Sequence, residues 1–353
     1  MLARKLLALL LLCFMGAAVM AAPTLNPSHP DRYTVVEGDT LWDIAGHFLQ
    51  NPWRWPDVWH VNPQVKNPHL IYPGDELELT YDADGKPIIK RVKRGRPTVK
   101  LSPGIRSERL DRAIPTIPLD AIQQFLSKPL VVSEEELAGS AYVVQTADEH
   151  VVSGAGDRLY VRGIKEEGKS KFSIFRPGGQ YIRYSTLDSD EPEVLGFEAL
   201  YVGEGTIAEF GDPSTILITS TERESIAGDR LLPLAEDDID EHFMPHAPRT
   251  DIEAAIISVV DGVLKIGQHQ IVVLDNGTDD KVDVGTVLAV YRRGETVFDN
   301  ITEERGDTVK LPDERAGTVM VFRAFEKVSF ALVMEATRPM ELWDAVRNPP
   351  ELR

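Results

Sequence analysis

The sequence predicts a multidomain protein with two architectures: a small α+β module of βααβ order, then an all-β region of duplicated barrel- or sandwich-like units. Three observations carry this. Residues 31–81 pass from alternating to helical periodicity and back to alternation. From Ala141 onward, short β-rich runs such as YVVQT, RLYVRG, STILITS, QIVVLD and TVMVFRAF recur between Gly, Asp and Asn, and helical periodicity of useful length is absent. Those runs also repeat in order: 171–178 resembles 286–294, 195–207 resembles 316–328, and 214–231 resembles 328–346.

At the N-terminus, Arg4 and Lys5 precede an apolar run from Leu6 to Met15 and small residues ending in Ala21-Ala22-Pro23. That is the pattern of a cleavable secretory signal over residues 1–22. Cys13, the single cysteine, lies within this run, so the exported chain has no thiol and can form neither a disulfide nor a thiolate site.

In the α+β module, Tyr33 and Val35 belong to a short strand that Glu37-Gly38-Asp39 ends with a turn. Thr40 and Asp43 have capping-box spacing, and Leu41, Ile44, Ala45 and Phe48 share one helical face. Asn51-Pro52 stops that helix. A second starts around Pro56, whose missing N–H costs nothing in a first turn, and runs through Val61 to Asn62-Pro63. Pro73-Gly74 supplies a turn before the closing strand, Glu76 to Thr80. Trp53, Trp55 and Trp59 fit either this core or an extended aromatic surface.

Residues 82–115 read as a basic linker, since Lys86 to Arg112 carries ten Lys or Arg against Glu108 and Asp111. Residues 116–138 hold a short amphipathic helix, with Ile122, Phe125 and Leu126 inward, and a lead-in. A first β unit spans 139–233, an acidic connector 234–252 and a second β unit 253–347. The acidic runs Glu134–Glu136 and Glu236–Glu241 read as exposed loops. The whole chain carries a net charge of −18, which excludes nucleic acid as a natural partner.

The catalytic arrangements of cell-wall hydrolases have no counterpart. There is no H-E-x-x-H or H-x-H pair for zinc, no exported cysteine nucleophile, and no serine motif at a strand-to-helix turn. His242 and His246 lie near carboxylates but read as loop residues. Asp157 and Asp229, each in a GDRL sequence, read as turn residues at strand starts rather than a carboxylate pair. No cofactor or metal is expected.

The GDTLW junction, the asparagine at the end of the second helix and IYPGDEL before the last strand make residues 33–79 resemble a LysM module. The resemblance implies binding of N-acetylglucosamine-containing glycans, here peptidoglycan, in a groove between two loops. One wall is implied to be Gly38, Asp39, Thr40 and Leu41, and the other Asn67, Leu70, Ile71, Tyr72 and Pro73. Leu41, Ile71 and Tyr72 equally suit the core. With the closing LPDERAGTVMVFRAFEKVSFALVMEATRP, the whole chain resembles the secretin-associated proteins of type IV pili, whose C-terminal region is related to the C-terminal domain of the flagellar assembly protein T. That resemblance implies a non-enzymatic periplasmic protein, at the inner face of the outer membrane, that anchors a secretin to peptidoglycan, many copies surrounding one ring. A wall-binding protein with another envelope partner and a peptidoglycan hydrolase stand as alternatives.

Overall fold

The computed structural model describes residues 23–59, 71–92, 113–126, 131–147, 151–164, 170–184, 192–234, 243–260, 265–299, 301 and 307–350. The predicted signal segment and the acidic run 236–241 lie outside them. The chain divides into two compact units, one ending at Ile114 and the other spanning Pro115–Pro350.

In the first unit, β1 (Arg32–Thr34), β2 (Glu76–Tyr81) and β3 (Pro87–Val92) form an antiparallel sheet in that order. Helix α1 (Leu41–Phe48) starts at the predicted capping box: the Thr40 hydroxyl accepts from Asp43 N–H while the Asp43 carboxylate accepts from Thr40 N–H. Its apolar face, Leu41, Ile44, Ala45 and Phe48, is buried against Leu77 of β2 and Ile89 of β3. A 3-10 turn (Pro52–Arg54) leads into α2 (Trp55–Val58). This helix ends earlier than its sequence predicts, because Trp59 turns extended and bridges in parallel to Ile89.

Strand β3 falls where the sequence predicts linker. Its basic residues lie at the end of the strand, beyond the core: Ile89 is buried, while Lys90 and Arg91, on opposite faces, are both exposed. Asp82 N–H bonds to Lys86 C=O across a turn with Gly85 at φ 78°, where a side chain would be strained. Ile114 also joins this core, its N–H donating to Ile71 C=O. Residues 93–112, the rest of the predicted linker, lie outside the described residues.

The second unit opens with α3 (Leu119–Leu126), β4 (Val131–Val132) and α4 (Glu134–Gly139). Glu134, Glu135 and Glu136 form the first turn of α4 rather than a loop. Ser133 and Glu136 close a second capping box, and three carboxylates at a helix N-terminus meet its positive end.

Two six-stranded barrels follow. The first consists of β5 (Ala141–Thr146), β6 (Arg158–Arg162), β7 (Lys171–Arg183), β8 (Glu193–Glu209), β9 (Ser214–Thr221) and β10 (Arg230–Pro233). Its sheet runs β4-β8-β7-β10-β5-β6-β9, and β8 pairs with β9 to close the ring. The second contains β11 (Glu253–Val259), β12 (Ile271–Leu274), β13 (Val287–Arg292), β16 (Glu314–Ala324), β17 (Ser329–Ala336) and β18 (Ala345–Arg347), closed in the order β11-β12-β17-β16-β13-β18. Between β13 and β16 stands a separate hairpin, β14 (Thr296–Phe298) and β15 (Thr308–Lys310).

The two barrels have one topology. Read from its first strand, each ring visits its members in the sequence first, second, fifth, fourth, third, sixth. The segments that resemble one another in sequence lie on β7 and β13, on β8 and β16, and on β9–β10 and β17–β18. Each barrel is filled by its own aliphatic cluster: Leu159, Val161, Ile174 and Ile216 in the first; Val272, Leu274, Val290 and Val333 in the second.

The barrels meet through the long β7–β8 hairpin. Tyr181 sets its ring edge-on to Phe330 of the second barrel, with centroids 6.4 Å apart. Arg183 donates to Asp275 C=O and pairs with Asp280 at 3.2 Å, and Glu193 pairs with Lys327 at 2.8 Å.

Candidate functional site

The two loops that the sequence singles out lie side by side. Val35 N–H donates to Asp75 C=O at 2.9 Å and Gly74 N–H donates to Val35 C=O at 2.8 Å, which stitches the loop after β1 to the loop before β2. Each loop is braced by an aspartate at its fourth position. Asp39 accepts from Val36 N–H at 2.8 Å and from the Tyr33 hydroxyl, and Asp75 accepts from Tyr72 N–H at 3.1 Å and from Arg91 of β3. Burial, followed by the neighbouring Asp39 carboxylate, raises the pKa of the Tyr33 phenol, which keeps it neutral as a donor. The third residues of the two loops, Gly38 at φ 97° and Gly74 at φ 89°, adopt the left-handed backbone that these turns demand.

Of the nine residues implied by the resemblance, Asn67 and Leu70 lie outside the described residues. Gly38 and Asp39 occupy the first loop, and Tyr72 and Pro73 the second, all at least partly exposed. The side chains of Leu41 and Ile71 are core residues, so these positions can meet a ligand only through their backbone. Thr40 is buried as the helix cap. The surface between the loops is therefore mainly peptide backbone, with Val36 and the Tyr72 ring as its apolar elements. Peptide N–H and C=O groups suit the amide of an acetamido sugar, and the apolar elements suit its methyl group and ring face.

Two of the three tryptophans serve the core. Trp55 is buried, and Trp59 packs against it at 6.1 Å with its ring nearly perpendicular. The support that Asp75 receives from Arg91 went unread in the sequence, where the alternation of Pro87 to Val92 was masked by its charge.

Residues 33–80 match the LysM domain. The βααβ segment is thus a LysM domain, a module that binds N-acetylglucosamine-containing polymers such as peptidoglycan. A 64-residue stretch is 39% identical to YqbP, an uncharacterized protein of Bacillus subtilis (strain 168), covering 15% of this chain and 29% of that protein. The chain therefore covers under a third of that relative's length.

In the barrels, Asp157 and Asp229 both brace turns, accepting at 2.9 Å from Gly154 N–H and Ile226 N–H respectively. Asp229 also holds Arg176 through two hydrogen bonds. His246 lies beside Asp283 at 3.5 Å and against the carbonyls of Ala247 and Val284, whereas His242 lies outside the described residues. Among the described residues no group of three or more His, Cys, Asp or Glu is arranged to hold a metal ion, and no helix is long and apolar enough to cross a membrane.

Proposed function

We propose that this protein is an exported, non-enzymatic anchor that ties an outer-membrane secretin, of the kind serving type IV pili, to peptidoglycan. The carrying observation is the LysM domain, folded in a compact unit of its own that ends at Ile114 and followed in the chain by two β-barrels. In this reading residues 1–22 direct export and are removed, the periplasm holds the product, and the glycan strand lies between the two stitched loops. Gly38, Asp39, Tyr72 and Pro73 form its described walls, with the backbone of Thr40, Leu41 and Ile71. Asn67 and Leu70, which the resemblance adds to the second wall, lie outside the described residues. The barrels contact the secretin, since a wall anchor needs a second attachment and they are the larger part of the chain.

Co-sedimentation with purified sacculi tests the wall attachment. The chain from Pro23 onward sediments, the 115–350 unit does not, and Tyr72→Ala lowers binding by about tenfold, the loss of roughly 1.4 kcal/mol of contact. Equal binding by the 115–350 unit would overturn the loop assignment. Retention of the secretin from solubilised outer membranes by the immobilised 115–350 unit tests the other attachment, and its absence would separate wall binding from the secretin.

A further inference from the structure

Within the second unit, a cleft of about 840 Å³ opens between the two barrels. It has the size of a ligand-binding cleft, and three elements wall it: the start of α4, the first residues of β8, and the turn between β16 and β17. That turn is fixed in place. Phe325 C=O accepts from Thr278 N–H at 2.8 Å, Glu326 C=O accepts from Asp279 N–H at 3.0 Å, and Phe325 N–H closes the turn onto Val328 C=O at 2.9 Å. This wall stands before anything binds, which lowers the ordering cost of occupancy.

The floor of the cleft is a strand edge. Strand β4 covers β8 for two residues, Val131 opposite Glu198 and Val132 opposite Phe197. Ser133 then caps α4, and the chain leaves the sheet. Glu193–Gly196 of β8 pair with β7 on one side, and among the described residues no strand lies on their other side. Val194, Leu195 and Gly196 of this edge line the cleft. A bare edge presents peptide N–H and C=O groups at a spacing that another extended backbone matches. Apolar surface surrounds it, with Val194 38% exposed and Val131, Phe197 and Phe325 partly so.

Charge narrows the occupant. Glu134 and Glu135 on one wall and Glu326 on another are exposed, and among the described residues none of the three makes an ion pair or a side-chain hydrogen bond. Glu136 is taken by its capping box, and Lys327, the one cation among the described lining residues, is held by Glu193 at 2.8 Å. Such a rim repels phosphate, carboxylate and acidic glycan, and attracts Lys or Arg. A bare cation would leave the apolar floor and the strand edge unmatched, so the complementary ligand is a basic peptide.

We infer that the cleft takes an extended segment of a partner protein, with Lys or Arg alternating with aliphatic residues, added as a strand along Glu193–Gly196. Its aliphatic side chains lie over Val194 and Phe325, and its cations reach Glu134, Glu135 and Glu326. The inference gives the barrels a place and a chemistry for a protein attachment. It is independent of glycan binding and holds whether or not the partner is a secretin.

The probe is the blocked hexapeptide Lys-Val-Lys-Val-Lys-Val, titrated to about 1 mM into the chain from Pro23 onward, with calorimetry reading affinity and amide hydrogen exchange reading place. The peptide binds, and exchange slows at Val194–Gly196. A form N-methylated throughout keeps every charge and side chain but has no N–H to pair, and it binds at least tenfold more weakly. Glu135→Gln with Glu326→Gln lowers affinity for the native peptide about fivefold, the loss of two exposed charge contacts. Glu209→Gln with Asp251→Asn makes the same change of charge on exposed carboxylates outside the cleft and leaves affinity unaltered. The Glu-Val counterpart of the peptide does not bind. Failure of the Lys-Val peptide to bind, or unchanged exchange at Val194–Gly196 when it does, overturns the inference. Equal binding of the methylated peptide, or equal loss in both pairs of variants, overturns it too, by reducing the effect to attraction of a cation to an acidic chain.

Discussion

One turn is built repeatedly in this chain from the same few atoms. Val36–Asp39, Tyr72–Asp75, Gly154–Asp157, Ile226–Asp229 and Glu341–Asp344 each have an aspartate whose carboxylate accepts from the N–H of the turn's first residue, at 2.8 to 3.1 Å. In four of them glycine holds the preceding position with φ between 89° and 97°. In the fifth Trp343 takes φ 72°, its ring 5.1 Å from Tyr184 at the barrel joint. The motif spans the LysM domain and both barrels; its Gly-Asp leads into a strand at Asp75, Asp157 and Asp229 and into helix α1 at Asp39, and the turn role of Asp157 and Asp229 was legible from residues alone. The roles of Leu41 and Ile71 were not, because an apolar residue beside a turn looks the same whether it faces ligand or core. Asp157→Ala removes one brace without touching any proposed binding surface. It is expected to cost about 1 kcal/mol, since a hydrogen bond to a charged but half-exposed group is lost, and to lower the melting temperature of the 115–350 unit by roughly 2–4 °C. Sacculus binding by the full chain stays unchanged; a loss of binding would show that the turn does more than fold.

At the scale of elements, the barrel strands were legible because alternation with one buried face is a strong pattern, and β5, β6 and β9 carry it. Two elements were hidden by charge. Strand β3 was lost within a basic stretch, and α4 within an acidic run, although in both the charges are compatible with the element: exposed at the end of the strand, and at the positive end of the helix. The consequence for the LysM unit is concrete. Its core includes Ile89 and Ile114, both beyond the segment that matches the LysM domain, and Arg91 braces the loop before β2 through Asp75. A chain of residues 23–114 is therefore expected to melt cooperatively, whereas 23–81 loses two buried isoleucines, about 3–6 kcal/mol of apolar burial and most of what a module this small possesses. Thermal unfolding followed by circular dichroism distinguishes them. Equal stability of the two chains would mean that β3 is an accessory to the fold rather than part of it.

For the whole molecule, the two barrels share one ring order, so one sequence repeat has become two units of the same topology that follow the LysM domain in the chain. That arrangement bears on how tightly a chain with one matched LysM domain binds glycan. Where the barrels supply a second attachment at the wall, the LysM domain binds at the high effective concentration that attachment sets. The full chain is thus expected to bind sacculi at least tenfold more tightly than residues 23–114 alone. The 115–350 unit, which lacks the LysM domain, stays in solution. Binding isotherms on sacculi with labelled protein measure all three. If the full chain bound no more tightly than residues 23–114, the barrels would add nothing at the wall, and a second attachment would be the wrong account of the affinity.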